Sequence, residues 1–252
     1  MSALLTTSRR GWDAKNKPGS DDRGRALMAT LVTVLRGGGR YTPVWVERLW
    51  AGARRHAPGF TRCLCLTDME FAIEGVERVP LRETWPIWWS KMEALRPGLV
   101  EGTTLLCDLD TVFSGDASPL AEPGLCAMED HFHKTRLSSA LLRWEGDQLG
   151  FVHDAFRADP ERWMRPGSCG PVPNAVHGDQ VVIDHLLRQR GLVPDFFQHR
   201  HPGLLDFYDP DNPHPGPVLV FIGDAKPDLA TEPIASLWRG DTSIRQAEPA
   251  EA

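Results

Sequence analysis

Two aspartates that could bind a metal ion, Asp108 and Asp110, directly follow the apolar residues 105–107. An apolar run of this kind predicts a buried strand, and residues two apart in an extended chain lie on the same face. Both carboxylates can therefore bind one hard cation from one side. Mg²⁺ or Mn²⁺ suits such a site, because these ions combine few carboxylates with substrate phosphate oxygens. The alternative is that one aspartate caps the next turn while the other is solvated.

The position of these aspartates depends on the sheet to which their strand belongs. Short strand-like apolar runs alternate along the chain with runs at helical spacing, which predicts an α/β fold, a single domain with a mostly parallel central sheet flanked by helices. Ligands bind such open sheets at the carboxyl ends of the strands, where the two aspartates stand. The predicted strands are residues 29–35, 61–66, 76–79, 105–107, 140–144 and 218–222, and the predicted helices are residues 43–57, 87–95, 151–163 and 179–189.

The two ends of the chain differ from its middle in composition. Residues 1–26 are polar, charged and without periodicity, which predicts a disordered tail, and residues 241–252 predict a flexible one. Residues 27–240 then form the domain. Because Met28 directly precedes the first predicted strand, this methionine is an alternative start of the protein.

Charge and hydropathy exclude several classes of function. The chain has 252 residues, with 28 Lys and Arg against 34 Asp and Glu, so its net charge is −6. No basic run is long enough to follow a nucleic-acid backbone. No apolar stretch reaches the ~18 residues of a membrane span, and residues 1–25 contain no signal-peptide core. Five cysteines without a CxxC pair favour free thiols in a reducing cytoplasm.

Several motifs occur in a fixed order around the two aspartates. They are TVLRGGGRYTP at 33–43, CLTD at 65–68, WPIWWSK at 85–91 and CDLD at 107–110. In this order they resemble the bacterial sugar-nucleotide glycosyltransferases of the GT-A fold, especially the group related to the family 8 enzymes. The resemblance covers about residues 30–228. It implies transfer of a sugar from a nucleotide-sugar donor, most simply a UDP-sugar, to the hydroxyl group of a carbohydrate or another acceptor.

The resemblance assigns the nucleotide pocket to the first strand and the loop after it. Val34 and Arg36 would line this pocket, Tyr41 would stack on the base, and Asp68 would contact the base or the ribose. The residues themselves leave other roles open, because Tyr41 could pack against the following helix and Asp68 could cap a turn.

The resemblance also assigns residues to the diphosphate of the donor. Lys91 would reach the diphosphate or the donor sugar, although a solvated lysine is the alternative. Asp108 and Asp110 would bind the Mn²⁺ or Mg²⁺ ion that bridges the diphosphate. Trp88 and Trp89, just before the lysine, are expected to pack rather than to contact a ligand.

Two further motifs lie in the second half of the chain. Asp179, in GDQ at 178–180, matches an Asp-Gln element of the family in which the aspartate faces the reacting sugar; a cap at a helix start is the alternative. The segment IGDAKP at 222–227 resembles His-Gly-x-x-Lys-Pro, in which Lys226 would hold the diphosphate. Ile222 stands in place of the metal-binding histidine, so a third ligand would have to come from Asp224 or His214.

Two other classes of protein compete with this interpretation. In a haloacid-dehalogenase-like Mg²⁺-dependent phosphatase, Asp108 would be the nucleophile, Asp110 a general acid, and Asp224 and Asp228 would bind Mg²⁺. That fold places its nucleophile on the first strand, whereas three predicted strands precede Asp108 here. The other class is a non-catalytic nucleotide-sugar-binding relative, because a fold does not imply an activity.

Overall fold

The computed structural model describes residues 29–171, 177–212 and 215–240. The predicted tails at 1–26 and 241–252, and the alternative start at Met28, lie outside the described residues. The strands are β1 Ala29–Leu35, β2 Phe60–Thr67, β3 Val76–Pro80, β4 Thr103–Cys107, β5 Val112–Phe113, β6 Cys126–Glu129, β7 Leu137–Glu145, β8 Asp195–Phe196, β9 Leu205–Phe207 and β10 Val218–Val220. The helices are α1 Pro43–His56, α2 Gly150–Ala158, α3 Pro160–Met164, α4 Asp179–Gln189, α5 Phe197–Arg200 and α6 Ile234–Arg239, with 3₁₀ segments at Ile87–Leu95, Ser118–Ala121 and Pro227–Leu229.

Seven strands form the central sheet in the order β3-β2-β1-β4-β7-β6-β8. β1 lies inside the sheet and pairs in parallel with β2 and with β4. β7 is antiparallel to both β4 and β6, and the remaining pairs are parallel. A second sheet contains β5, β10 and β9. The predicted α/β fold with a mostly parallel central sheet is confirmed.

The central strands are apolar along their whole length because both faces of the sheet are covered. Leu31 of β1 packs into the core that contains α1, whereas its neighbour Val32 packs into the core that contains α2, α4 and the 3₁₀ segment Ile87–Leu95. Leu105 and Leu106 of β4 divide in the same way. The polar residues that follow β1 and β4 therefore emerge side by side at one edge of the sheet.

Most of the predicted elements occur in the structure, with some differences. The strand predicted at 140–144 extends over Leu137–Glu145, and the helix predicted at 87–95 is a 3₁₀ segment. The helix predicted at 151–163 is divided into α2 and α3, because Asp159 leaves the helical conformation and accepts a hydrogen bond from the backbone N–H of Arg162 at 3.1 Å. Pro160 then begins α3. The strand predicted at 218–222 ends at Val220. Within the described residues, the structure has no helix long and apolar enough to cross a membrane.

Candidate functional site

A cavity of about 650 Å³ opens at the carboxyl ends of β1 and β4. The structure brings most of the predicted site residues into its wall, although they come from segments that are far apart in the chain. These lining residues are Val34, Arg36, Tyr41, Lys91, Asp108, Asp110 and Asp179. A concave site with converging polar groups is the usual form of a ligand site.

Asp108 is the first residue beyond β4. Its backbone N–H donates to the carbonyl oxygen of Ala140 on β7 at 2.9 Å, which fixes its position beside the sheet. Its carboxylate pairs with the ammonium of Lys91, with Nζ 2.8 Å from Oδ1. Burial raises the pKa of Asp108 to about 6; the Lys91 charge opposes this shift, and the charges of Asp110 and Asp179 add to it. The Lys91 ammonium therefore offsets only part of the cost of burying the Asp108 charge.

Lys91 comes from the 3₁₀ segment Ile87–Leu95 and lies between carboxylates from two different elements. Its Nζ is 3.0 Å from Oδ2 of Asp108, 3.5 Å from Oδ2 of Asp179 and 3.2 Å from the hydroxyl of Ser139. Burial by itself would lower the pKa of Lys91, but Asp108 and Asp179 together hold this pKa above its usual value. Lys91 therefore remains an ammonium ion in the cavity.

Asp110 accepts two hydrogen-bonding contacts through one oxygen. Its Oδ2 is 2.9 Å from the hydroxyl of Tyr41 and 3.0 Å from Nζ of Lys226. Burial and the charge of Asp110 both raise the pKa of Tyr41, so the phenol stays protonated and donates. The Tyr41 ring meets Trp45 of α1 edge to face at 4.9 Å. The structure thus gives Tyr41 a direct contact with a predicted metal ligand, which the sequence pattern did not indicate.

Lys226 reaches the site from the segment between β10 and α6. Its Nζ also donates to the carbonyl oxygen of Gly223 at 2.7 Å. The same segment is bound to the loop after β1 by a bidentate pair in which Arg40 Nη2 is 2.7 and 2.8 Å from the two oxygens of Asp228. Asp228 is therefore the partner of an arginine, which does not fit the magnesium-binding role that the phosphatase alternative required.

Asp179 begins α4, and Gly178 before it is the N-cap residue. The alternative role of Asp179 as the cap is therefore wrong, because its position is one residue too far along the helix. Its side chain is 7% exposed, and its Oδ2 accepts no hydrogen bond from any described residue. Lys91 Nζ forms an ion pair with this oxygen at 3.5 Å. A buried carboxylate oxygen that accepts no hydrogen bond is costly and points to a ligand or an ion.

Trp88 and Trp89 have different environments, although both were expected to pack. Trp89 does pack, with its ring stacked on Phe156 at 5.4 Å. Trp88 is 39% exposed and lines the cavity beside Ile87, so its packing prediction is wrong. Consecutive residues of a 3₁₀ segment point about 120° apart, which sends these two rings in different directions. Gly178 faces the Trp88 indole so closely that an added Cβ would lie 3.1 Å from Nε1.

Asp68 holds the loop after β1. Its Oδ1 accepts a hydrogen bond from the backbone N–H of Gly37 at 2.7 Å, and its Oδ2 is 4.0 Å from Nη2 of Arg36. Asp68 is not among the described lining residues of the cavity. The contacts agree with the structural role that the residue type allowed, and its contact with a base or ribose stays a prediction.

Asp108 and Asp110 offer the hard oxygen ligands that Mg²⁺ and Mn²⁺ prefer. The described residues contain no group of three His, Cys, Asp or Glu side chains suited to one metal ion. Asp224, a candidate third ligand, is exposed, and His214 lies outside the described residues. The site therefore fits a cation that takes two protein carboxylates and completes its shell with phosphate oxygens, and it does not fit a cage made of protein ligands alone.

No protein-family model and no curated protein matches the chain. Among solved structures, it is similar to the apo form of the glycosyltransferase GlyE from Streptococcus pneumoniae TIGR4, with a TM-score of 0.60 and 13% identity over 86% of this chain. It is also similar to the galactosyltransferase LgtC in complex with donor and acceptor sugar analogues, with a TM-score of 0.57 and 10% identity over 86% of this chain.

The chain spans 61% of the GlyE chain and 98% of the LgtC chain. At identities this low, the structural similarity shows a common fold but does not show a common activity. The order of motifs in the sequence predicted the same fold. The chain thus has the GT-A fold of glycosyltransferases such as GlyE and LgtC.

Proposed function

We propose that this protein is a hexosyltransferase that moves a sugar from a UDP-sugar donor to a hydroxyl group of a carbohydrate or similar acceptor. The observation that carries the proposal is the convergence of Asp108, Asp110 and Asp179 on one cavity at the carboxyl edge of a GT-A sheet. LgtC, which has the same fold, is a galactosyltransferase solved with donor and acceptor sugar analogues, and this supports a site of the same kind here.

The nucleotide half of the donor belongs at the end of the cavity formed by β1 and the loop after it. Val34, Arg36 and Tyr41 supply an apolar surface, a guanidinium and an aromatic ring there. Asp68 acts on this end of the cavity through Gly37, whose N–H it binds. The Tyr41 ring offers an aromatic surface on which the base of the nucleotide can stack.

The diphosphate of the donor needs positive charge, and two lysines stand beside the aspartates. Lys91 contacts Asp108, and Lys226 contacts Asp110. Asp108 and Asp110 would hold Mn²⁺ or Mg²⁺, which when bound offsets the negative charge that develops on the departing nucleoside diphosphate. Lys91 and Lys226 supply ammonium groups for the same charge.

Asp179 is the residue that would act on the donor sugar. Its buried Oδ2 accepts no hydrogen bond from the described residues and lies in the wall of the cavity. A carboxylate in this position can accept a hydrogen bond from a sugar hydroxyl and can stabilise positive charge on the anomeric carbon as the leaving group departs. The ammonium of Lys91 lies 3.5 Å from this oxygen.

A thermal-shift experiment tests the donor site. UDP, GDP, CMP, NAD and simple phosphoesters are each added with and without Mn²⁺, since a ligand that binds only the folded protein raises the unfolding midpoint. We expect UDP to raise the midpoint, and to do so most strongly with Mn²⁺. The absence of any shift with all four nucleotides would contradict the proposal.

A matched pair of variants then tests the chemistry. Asp110→Asn should fold normally and lose transfer from UDP-sugars, measured as release of UDP. Asp195→Asn, which alters an exposed aspartate paired with Arg200, should keep full turnover. UDP binding without release of UDP from any UDP-sugar would instead identify a non-catalytic binding protein. This outcome is worth measuring because Ile222 stands in place of the metal-binding histidine of the similar motif.

We also propose a cytoplasmic location. All five cysteines are free thiols and four of them are buried, which suits a reducing compartment. Alkylation of the denatured protein, isolated from its native host without a reducing agent, should add one label to each of the five cysteines. Fewer labels would indicate a disulfide and an oxidising location.

A further inference from the structure

Both carboxylates of the Asp-x-Asp pair already hold an ammonium ion. Lys91 Nζ is 2.8 Å from Asp108, and Lys226 Nζ is 3.0 Å from Oδ2 of Asp110. The Lys226 and Asp110 side chains are 14% and 10% exposed, so solvent screens their attraction only in part. A divalent cation therefore cannot bind this oxygen of Asp110 unless the ammonium of Lys226 moves away.

The two lysines differ in how firmly they are held. Lys91 lies between Asp108, Asp179 and Ser139, on a 3₁₀ segment packed into the core beneath the sheet. Among the residues that the structure describes, Lys226 contacts Asp110 and the carbonyl oxygen of Gly223. Its four-carbon side chain can therefore swing away without any rearrangement of the sheet.

The backbone around Lys226 is fastened independently of its ammonium group. Asp228 forms the bidentate pair with Arg40, and Pro227 is buried. Because these contacts hold the backbone beside the cavity, a Lys226 side chain that leaves Asp110 stays within reach of a ligand in the cavity. An anionic diphosphate bound there is the partner of matching charge.

We propose that Lys226 is a displaceable counterion of Asp110, which neutralises this aspartate in the empty site and transfers its ammonium to the donor diphosphate when a divalent cation takes its place. The inference rests on the proposed function, because it takes a nucleoside diphosphate as the ligand. Lys226 would thereby make the binding of cation and nucleotide cooperative. When the cation binds without nucleotide, Lys226 loses its ion pair with Asp110 and gains no other partner. When nucleotide is also bound, the diphosphate replaces Asp110 as the partner of Lys226. Such coupling is reciprocal between the two ligands.

Direct titration with Mn²⁺ tests this role, with free Mn²⁺ followed by electron paramagnetic resonance in the absence and presence of UDP. We expect Lys226→Met to bind Mn²⁺ alone about tenfold more tightly than the unchanged protein. UDP should tighten Mn²⁺ binding in both proteins, because its phosphate oxygens complete the shell of the ion, but by about tenfold more in the unchanged protein than in the variant. Lys134→Met is the matched control, because Lys134 is 62% exposed and lies 3.7 Å from Glu129, and it should behave as the unchanged protein.

Two further variants make the result unambiguous. Lys226→Gln repeats the test with a polar side chain, and an unchanged unfolding midpoint shows that each variant is folded. Asp110→Asn combined with Lys226→Met should lose the gain in Mn²⁺ affinity, which assigns that gain to Asp110. Equal or weaker Mn²⁺ binding by both single variants at Lys226 would overturn the proposal, as would the absence of Mn²⁺ binding in every protein.

The outcome separates this inference from the proposed function. If UDP binds and UDP-sugars are turned over but the Lys226 variants gain no Mn²⁺ affinity, only the counterion role is wrong. If the Lys226 variants gain Mn²⁺ affinity but no nucleotide binds, the counterion role stands for the cation and its transfer to a diphosphate is overturned together with the proposed donor.

Discussion

The ammonium nitrogen of Lys91 lies 2.8 Å from Oδ1 of Asp108, and the same nitrogen is 3.5 Å from Asp179. One lysine thus joins a carboxylate at the end of β4 to a carboxylate at the start of α4. Without it, two partly buried negative charges would face the same cavity beside Asp110. Lys91 therefore neutralises both carboxylates and stabilises the site.

Replacement of Lys91 by Met should destabilise the protein by about 2 kcal/mol, because it leaves Asp108 and Asp179 uncompensated, although solvent at the cavity reduces the cost. Urea unfolding at neutral pH measures this change. Lys134→Met, which breaks an exposed pair, should stay within about 0.5 kcal/mol of the unchanged protein. Equal stability of the two variants would show that Lys91 is not an essential counterion.

Asp108 should make stability depend on pH in a definite direction. Its pKa is raised from 3.8 to about 6, chiefly by burial, so the folded state binds the proton more tightly than the unfolded state does. The ionised carboxylate of Asp108 therefore makes the protein less stable. This loss of stability does not occur at low pH, develops as the pH rises from about 4 to 6, and is complete above that range.

Comparison of the unchanged protein with Asp108→Asn tests this direction. Relative to the variant, the unchanged protein should lose about 1 kcal/mol between about pH 4 and 7, a figure reduced because part of the side chain meets solvent. Urea unfolding of both proteins across this range gives the difference directly. A difference that is constant with pH, or that changes in the opposite direction, would contradict the assignment to Asp108.

Two substitutions of Tyr41 separate its ring from its hydroxyl. Tyr41→Phe removes the hydrogen bond to Asp110 and keeps the ring, so UDP affinity should change by less than about threefold. Tyr41→Ala removes the stacking surface and should weaken UDP binding by about tenfold or more. Calorimetric titration with UDP at fixed Mn²⁺ measures both. If the Phe variant binds as weakly as the Ala variant, the hydroxyl matters more than stacking on the base.

Arg143 is a buried cation remote from the predicted chemistry. It is fully buried in β7, donates to the carbonyl oxygens of Pro119 at 2.8 Å and Gly124 at 3.0 Å, and lies over the Phe197 ring at 5.1 Å. Burial lowers its pKa. These contacts hold the loop between β5 and β6 against the sheet.

Replacement of Arg143 by Met should cost about 3 kcal/mol, because it leaves buried carbonyl oxygens unpaired. Guanidinium unfolding measures the loss, and the folded fraction should still bind UDP. Arg157→Met alters an arginine that is 65% exposed and should cost about 0.5 kcal/mol or less. A loss below about 1 kcal/mol in the Arg143 variant would mean that water or side-chain rearrangement replaces its hydrogen bonds.

Local pattern was sufficient for the long elements and for the residues that follow them. β1 and α4 have the predicted bounds. The pattern and length of their buried residues indicate a strand and a helix, respectively. The Asp108 and Asp110 pair was equally readable, since a buried strand ends directly before it. The short strands β6, β8 and β9 were not predicted, because so few residues carry no periodicity and each strand exists only through its partner.

The partners of the charged groups depended on contacts between distant segments. Nothing local shows that Lys91 stands between Asp108 and Asp179, or that Tyr41 and Lys226 share one oxygen of Asp110. An aspartate beyond a strand end has the same local pattern whether a metal, an ammonium or water neutralises it. Residue type and spacing therefore determined which groups reach the edge of the cavity. Packing of the loops around that edge decided which groups form pairs, because electrostatic pairing depends on distance in space and on the exclusion of water.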